Sequence, residues 1–131
     1  VLLNSRLVIC GGRGEQIGGG RQAMDSVEVF SSDSREWTPL PRMSVPRELA
    51  AAVAVEGTLW VFGGLAGGSR LSTVEKFDWE RSRWTPGPPM LRRRSGHCAA
   101  AGVVLMGRQG PPSDTSSIGN PAKHGSSLTV L

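Results

Sequence analysis

The strongest constraint on what this chain can fold into is that it says nearly the same thing twice. Residues 27–47 open with Val27-Glu28-Val29-Phe30, pass Trp37-Thr38-Pro39 and close on Pro41, Met43 and Arg47. Residues 74–94 open with Val74-Glu75-Lys76-Phe77, pass Trp84-Thr85-Pro86 and close on Pro88, Met90 and Arg94. The copies lie 47 residues apart, and nine of the 21 aligned positions are identical. Each follows an apolar run that ends in two glycines, Leu7-Val8-Ile9-Cys10-Gly11-Gly12 and Leu59-Trp60-Val61-Phe62-Gly63-Gly64. A period of this length marks an array of supersecondary units, each of which buries its apolar face only against a neighbour.

The units are made of strands. Eighteen glycines and nine prolines punctuate short valine-rich runs, and no long 3.6-period stripe is present, so the chain reads as all-β. In the second unit, runs at 50–55, 59–62 and 74–77 and a strand opening at Trp84 are separated by the Glu56-Gly57 turn, a loop and a charged turn at 78–83. Four short strands in a meander make one propeller blade. They are called a, b, c and d in chain order.

Apolar run plus diglycine, Val-Glu-x-Phe, Trp and Pro-x-Met-x-x-x-Arg together resemble the kelch repeat, over roughly residues 1–105. The resemblance is to the BTB–kelch (kelch-like) group, in partial or truncated form. It implies an incomplete kelch β-propeller of about two four-stranded antiparallel blades plus partial flanking strands. The units are expected at 1–46, with its first strand cut short, and at 47–93, with a third beginning at 94–106. Arg94-Ser95-Gly96-His97-Cys98 starts that third unit normally, but Gly110-Pro111 stands where the diglycine is due, and Pro121 to His124 fill the Val-Glu-x-Phe slot. Residues 107–131, polar and rich in Pro, Gly and Ser, are expected to form a disordered tail. An alternative exon or a frameshifted end would produce such a tail. The chain opens without Met in an apolar run, so a piece of something longer is expected. With open strand edges, such a piece should be marginal on its own.

The repeated positions read as framework. Gly11, Gly12, Gly63 and Gly64 permit backbone torsions and close approaches that a Cβ forbids. Phe30, Trp37, Phe77 and Trp84 are large plates for packing blade on blade, and Met43 and Met90 complete the signature. Glu28 and Glu75 are expected to hold backbone or loop groups.

Function is expected where the copies differ. The segment after the diglycine is fourteen residues long at 13–26 and nine at 65–73, while the other spacings are constant. In a meander this b–c segment shares a face with the d–a segment, and length variation confined to one face suits a binding face. Arg13, Arg21 and Arg70 lie on the first kind of segment; Arg42, Arg47, Arg92, Arg93 and Arg94 lie on the second. Forked guanidinium hydrogen bonds suit carboxylate or phosphate groups. The candidate partner-binding residues are Arg13, Arg47, Arg70 and Arg94, for Arg47 and Arg94 on the strength of the family resemblance, with an acidic peptide segment as partner. Bracing of neighbouring loops is the alternative role for Arg47 and Arg94.

The resemblance implies a protein–protein interaction module, specifically the substrate-recognition part of a cullin ubiquitin ligase adaptor, reaching the ligase through an upstream domain. Actin or cytoskeletal binding is the second reading within that class. The rival class is a propeller enzyme, a copper oxidase or a sugar-acting hydrolase, but a radical-copper oxidase needs tyrosine and the chain has none, and no paired carboxylates flank a glycine-rich pocket motif. No catalytic residue, metal site or cofactor is therefore expected. A net charge of +4 and a pI near 10 raise nucleic acid as a partner, yet the charges are interspersed, and Arg92-Arg93-Arg94 reads as a solvated or protein-contact patch. Cys10 and Cys98 read as buried, inert thiols of a reducing compartment. The expected location is cytoplasmic, with the nucleus as the alternative. No apolar run is long enough for a membrane span.

Overall fold

The computed structural model describes residues 1–3, 6–15, 17–102 and 128–129. Among them are two four-stranded antiparallel sheets. The first holds β1 (Leu2–Leu3), β2 (Arg6–Cys10), β5 (Val27–Ser31) and β6 (Glu36–Leu40); β3 (Arg13–Glu15) and β4 (Arg21–Ala23) form a hairpin between β2 and β5. The second holds β7 (Ala51–Val55), β8 (Thr58–Phe62), β11 (Val74–Asp78) and β12 (Arg83–Gly87), with the hairpin β9 (Leu65–Ala66) and β10 (Ser69–Arg70) after β8. Each sheet is the expected meander. The registers coincide copy for copy: Ile9 faces Glu28 and Glu28 faces Pro39, as Val61 faces Glu75 and Glu75 faces Pro86. The chain is thus all-β, with two blades of an incomplete kelch-type propeller.

Alternation sorts each strand into two faces. On β8, Leu59 and Val61 are completely buried and lie in one core layer with Phe77. Across that layer come Leu3, Val8, Val27 and Met43 from the first blade. The main core therefore lies between the blades, as stacked units that cannot bury their faces alone require. Trp84 joins its edge, with its ring 5.2 Å from that of Phe77 and its indole nitrogen donating to the Pro41 carbonyl at 2.8 Å. Trp37, at the same repeat position, is 43% exposed, because no described blade covers the outer face of the first sheet.

The structure departs from expectation in the b–c segments, at the cysteines and near the end of the chain. The b–c segments at 13–26 and 65–73 are not plain loops, since each folds into a short hairpin. Cys98 is exposed rather than buried, because it lies outside both four-stranded sheets; Cys10 is half-buried, and burial pushes its thiol up to about 11. Most of the expected tail at 107–131 lies outside the described residues. Within it, β14 (Leu128–Thr129) pairs antiparallel with β13 (Ala100–Ala101).

Candidate partner-binding face

The diglycine organises this face. Gly63 has a φ of +56°, and a Cβ there would stand 2.5 Å from the Arg94 carbonyl oxygen. Its successor Gly64 donates its N–H to that same carbonyl at 2.8 Å, and the Arg94 N–H returns to the Leu71 carbonyl at 2.9 Å. The first blade repeats the lacing: Gly12 donates to the Arg47 carbonyl and Arg47 N–H to the Met24 carbonyl, both at 2.8 Å. The d–a segment is therefore drawn across the end of strand b and against the b–c segment. Paired bonds between Glu48 and Leu65, at 2.7 and 3.0 Å, tie the segment leaving the first blade to the hairpin of the second.

That lacing brings some of the arginines together and pins others. Arg70 from β10 and Arg93 from the following d–a segment line a cleft of about 570 Å³ with Ser69, Ser95, Leu65 and Gly68. Two guanidinium groups and two hydroxyls offer only charged donors and flexible donor–acceptors, a set suited to a carboxylate. Arg13 is ion-paired to Glu48 at 3.2 Å while staying well exposed. Arg42 is held by Asp25 at 2.6 Å. Arg94 is exposed and stands close enough to His97 to depress its ionisation, after the larger effect of burial on that ring.

Arg47 is the correction. Its side chain is 0% exposed and belongs to the blade seam. Nε and Nη2 donate to Glu75 Oε1 at 3.2 and 3.0 Å; Nη1 donates to the carbonyls of Gly63 and Thr73 at 2.6 and 3.1 Å; Nη2 also reaches Thr73 Oγ1 at 2.9 Å. The other carboxylate oxygen of Glu75 accepts from the backbone N–H of Ser44 at 2.9 Å and from its hydroxyl. A guanidinium so enclosed cannot meet a partner, and the bracing role holds for it. Sequence spacing pointed to Arg70 but not to Arg93, Ser69 or Ser95, whose convergence depends on the hairpin geometry. Arg93 carried a signal only as part of the arginine run.

The same lacing in both units is matched by a family model described as the Kelch motif, which covers residues 1–44 and 46–91. The chain belongs to the kelch-repeat family. It is 34% identical over 74 residues to human Kelch-like protein 4, covering 56% of this chain and 10% of that one. To Alpha-scruin of Limulus polyphemus it is 31% identical over 125 residues, 89% of this chain and 13% of the relative. To the F-box/kelch-repeat protein SKIP30 of Arabidopsis thaliana it is 31% identical over 90 residues, 68% and 25% of the two chains. The kelch chain thus spans between a tenth and a quarter of the length of these relatives. Among solved structures, that of YjhT superposes with a TM-score of 0.67 at 13% identity, over 76% of this chain and 40% of that one; the likeness is one of fold. Kelch repeats are protein–protein interaction modules, and no helix among the described residues is long and apolar enough to cross a membrane.

Proposed function

We propose that this kelch segment binds an acidic stretch of a partner protein in the cleft between Arg70 and Arg93, with Ser69 and Ser95 completing the hydrogen bonds. The observation that carries this reading is that two exposed arginines from separate segments line one hollow. Arg13, beside Glu48, and the exposed Arg94 extend the basic character of the same face. In the parent protein the face serves substrate recognition for a cullin ubiquitin ligase, as in kelch-like adaptors, with a BTB domain upstream. The role is one of binding rather than catalysis. Free cysteines suit a cytoplasmic location.

Fluorescence anisotropy with a labelled Asp/Glu-rich peptide tests the cleft. Binding that persists at physiological salt and weakens by about tenfold or more in Arg70→Glu and Arg93→Glu is expected, since each reversal replaces a charge-assisted contact with repulsion. Equal binding by both variants, or full competition by single-stranded DNA that vanishes as salt rises, would mean general charge attraction and would discard the reading.

A further inference from the structure

Glu48 and Ser95 occupy one repeat position, each directly after its signature arginine. In the first unit that position is acidic, and Glu48 Oε2 lies 3.2 Å from Nε of Arg13 on the b–c hairpin. The counterpart of Arg13 on the second hairpin is Leu65, and Leu65 faces Arg70 across that hairpin. The second unit therefore keeps an arginine on its hairpin but has a hydroxyl in place of the carboxylate. Ser95 lines the hollow with Arg70 and Arg93, and neither arginine makes an ion pair among the described residues. Glu48 reaches Arg13 even though the hairpin of the next unit is tied to its backbone through Leu65. A side chain at this position thus addresses the preceding hairpin with the following unit in place.

The residues leading to Ser95 are Arg92, Arg93 and Arg94, and no other serine of the chain has arginine both two and three positions ahead of it. Serine kinases of the arginine-directed class read those two positions with carboxylates in their peptide groove, which guanidinium groups match through forked hydrogen bonds. Residues 91–94 and Gly96 are all exposed, and Ser95 is half-buried between them. Among the described residues, three backbone bonds hold this stretch: Gly64 to the Arg94 carbonyl, Arg94 to the Leu71 carbonyl and Gly96 to the Leu49 carbonyl. Releasing them is a local opening that leaves both four-stranded sheets intact.

We propose that Ser95 is a phosphorylation site for an arginine-directed kinase, and that its phosphate closes the Arg70–Arg93 cleft to acidic partners. In the transfer, Ser95 Oγ bonds to the γ-phosphorus of ATP as the bond to the bridging oxygen breaks. ADP leaves, and the hydroxyl proton passes to the base of the kinase. The product carries about −1.5 to −2 charges and three acceptor oxygens, where the first unit has the single carboxylate of Glu48. Arg70 and Arg93 are both placed to pair with it. An incoming carboxylate then meets a hollow already filled by its own sign of charge. The closure rests on the reading of the cleft as a carboxylate site, whereas the modification and the pairing of the phosphate do not.

Incubating the whole 131-residue chain with ATP and a purified arginine-directed serine kinase tests the proposal. Peptide mass spectrometry should place phosphate on Ser95, and Ser95→Ala should abolish that signal; modification only elsewhere, or none, overturns the site. Phosphorus NMR should show the phosphate ionising at lower pH in the protein than in a synthetic phosphopeptide of residues 88–98, because a guanidinium favours the dianion. Arg70→Gln should narrow that gap. A phosphate that titrates as it does in the free peptide overturns the pairing. Phosphorylation should also weaken binding of the labelled Asp/Glu-rich peptide by at least about tenfold, and unchanged affinity overturns the closure. If the unmodified chain does not bind that peptide, the carboxylate reading of the cleft fails, while the phosphorus titration still decides whether Arg70 and Arg93 hold the phosphate.

Discussion

Arg47, on the segment that joins the two sheets, is buried on Glu75 of the second, with Nη2 3.0 Å from Oε1. Burying two charges is expensive, and here the expense is offset by additional partners: two carbonyls and a hydroxyl for the guanidinium, and the N–H and hydroxyl of Ser44 for the carboxylate.

Removing one member should therefore cost far more than removing both. Arg47→Ala leaves an uncompensated carboxylate in the seam and should lower unfolding stability by about 3–5 kcal/mol. The double substitution Arg47→Met with Glu75→Leu should retain much of that, since apolar groups of similar volume can replace a buried pair. Urea denaturation of the two proteins decides it, and equal losses would show that the pair acts only through packing.

Gly63 should tolerate no side chain. Its φ lies in the left-handed region, and a Cβ would meet both the Arg94 carbonyl at 2.5 Å and the Met90 methyl at 2.9 Å. Gly63→Ala is expected to destabilise by at least ~1–2 kcal/mol, the scale of the left-handed penalty alone. Gly57→Ala, with a positive φ but open space around it, should carry the torsional part only, so comparing their thermal unfolding separates torsion from collision.

The two signature tryptophans should differ in cost. Trp84→Phe loses the bond to the Pro41 carbonyl and should cost about 1 kcal/mol or more. Trp37→Phe alters a ring that is 43% exposed and should stay within about 0.5 kcal/mol. The comparison belongs at dilute concentrations, by chemical denaturation.

Mild acid should weaken the fold through His97. Neither ring nitrogen has a hydrogen-bond partner among the described residues, and burial, then the Arg94 charge, hold its pKa below the ordinary 6.5. With the folded pKa the lower one, the unfolded chain takes up the proton first. His97 therefore subtracts nothing above pH 6.5, and stability falls as pH drops below that value towards the folded pKa. Asp78, held below 3.8 mainly by hydrogen bonds from Arg81, gives its own loss only at more acid pH. Melting temperatures of the wild type and His97→Ala between pH 7 and 5 should converge as the pH falls; parallel curves would clear His97.

The thiols should separate by reactivity. Cys98 is exposed, while burial pushes Cys10 up to about 11. Under native conditions iodoacetamide should modify Cys98 first by a wide margin, and peptide mass spectrometry reads the order directly.

Much of this was legible in the chain. The 47-residue echo located both meanders, and the constant spacing from Phe to Trp foretold the shared register of Phe30 with Trp37 and Phe77 with Trp84. The variable segments did fall beside the d–a segments. What could not be read was which arginine on that face is available. Arg47 and Arg94 occupy one repeat position, and nothing local distinguishes them. Arg93 draws attention only as one of three consecutive arginines, and its meeting with Arg70 depends on the fold of the β9–β10 hairpin.

Sequence by itself determined the four meander strands of each blade, their order and the need for glycine where the diglycines stand, because these depend on alternation, turn residues and the absence of a Cβ, all local properties. Tertiary structure alone decided that Arg47 is an internal brace while Arg94 is exposed. Burial belongs to the neighbour as much as to the residue: Arg47 has the Glu75 carboxylate of the second sheet against it, and no carboxylate among the described residues pairs with Arg94.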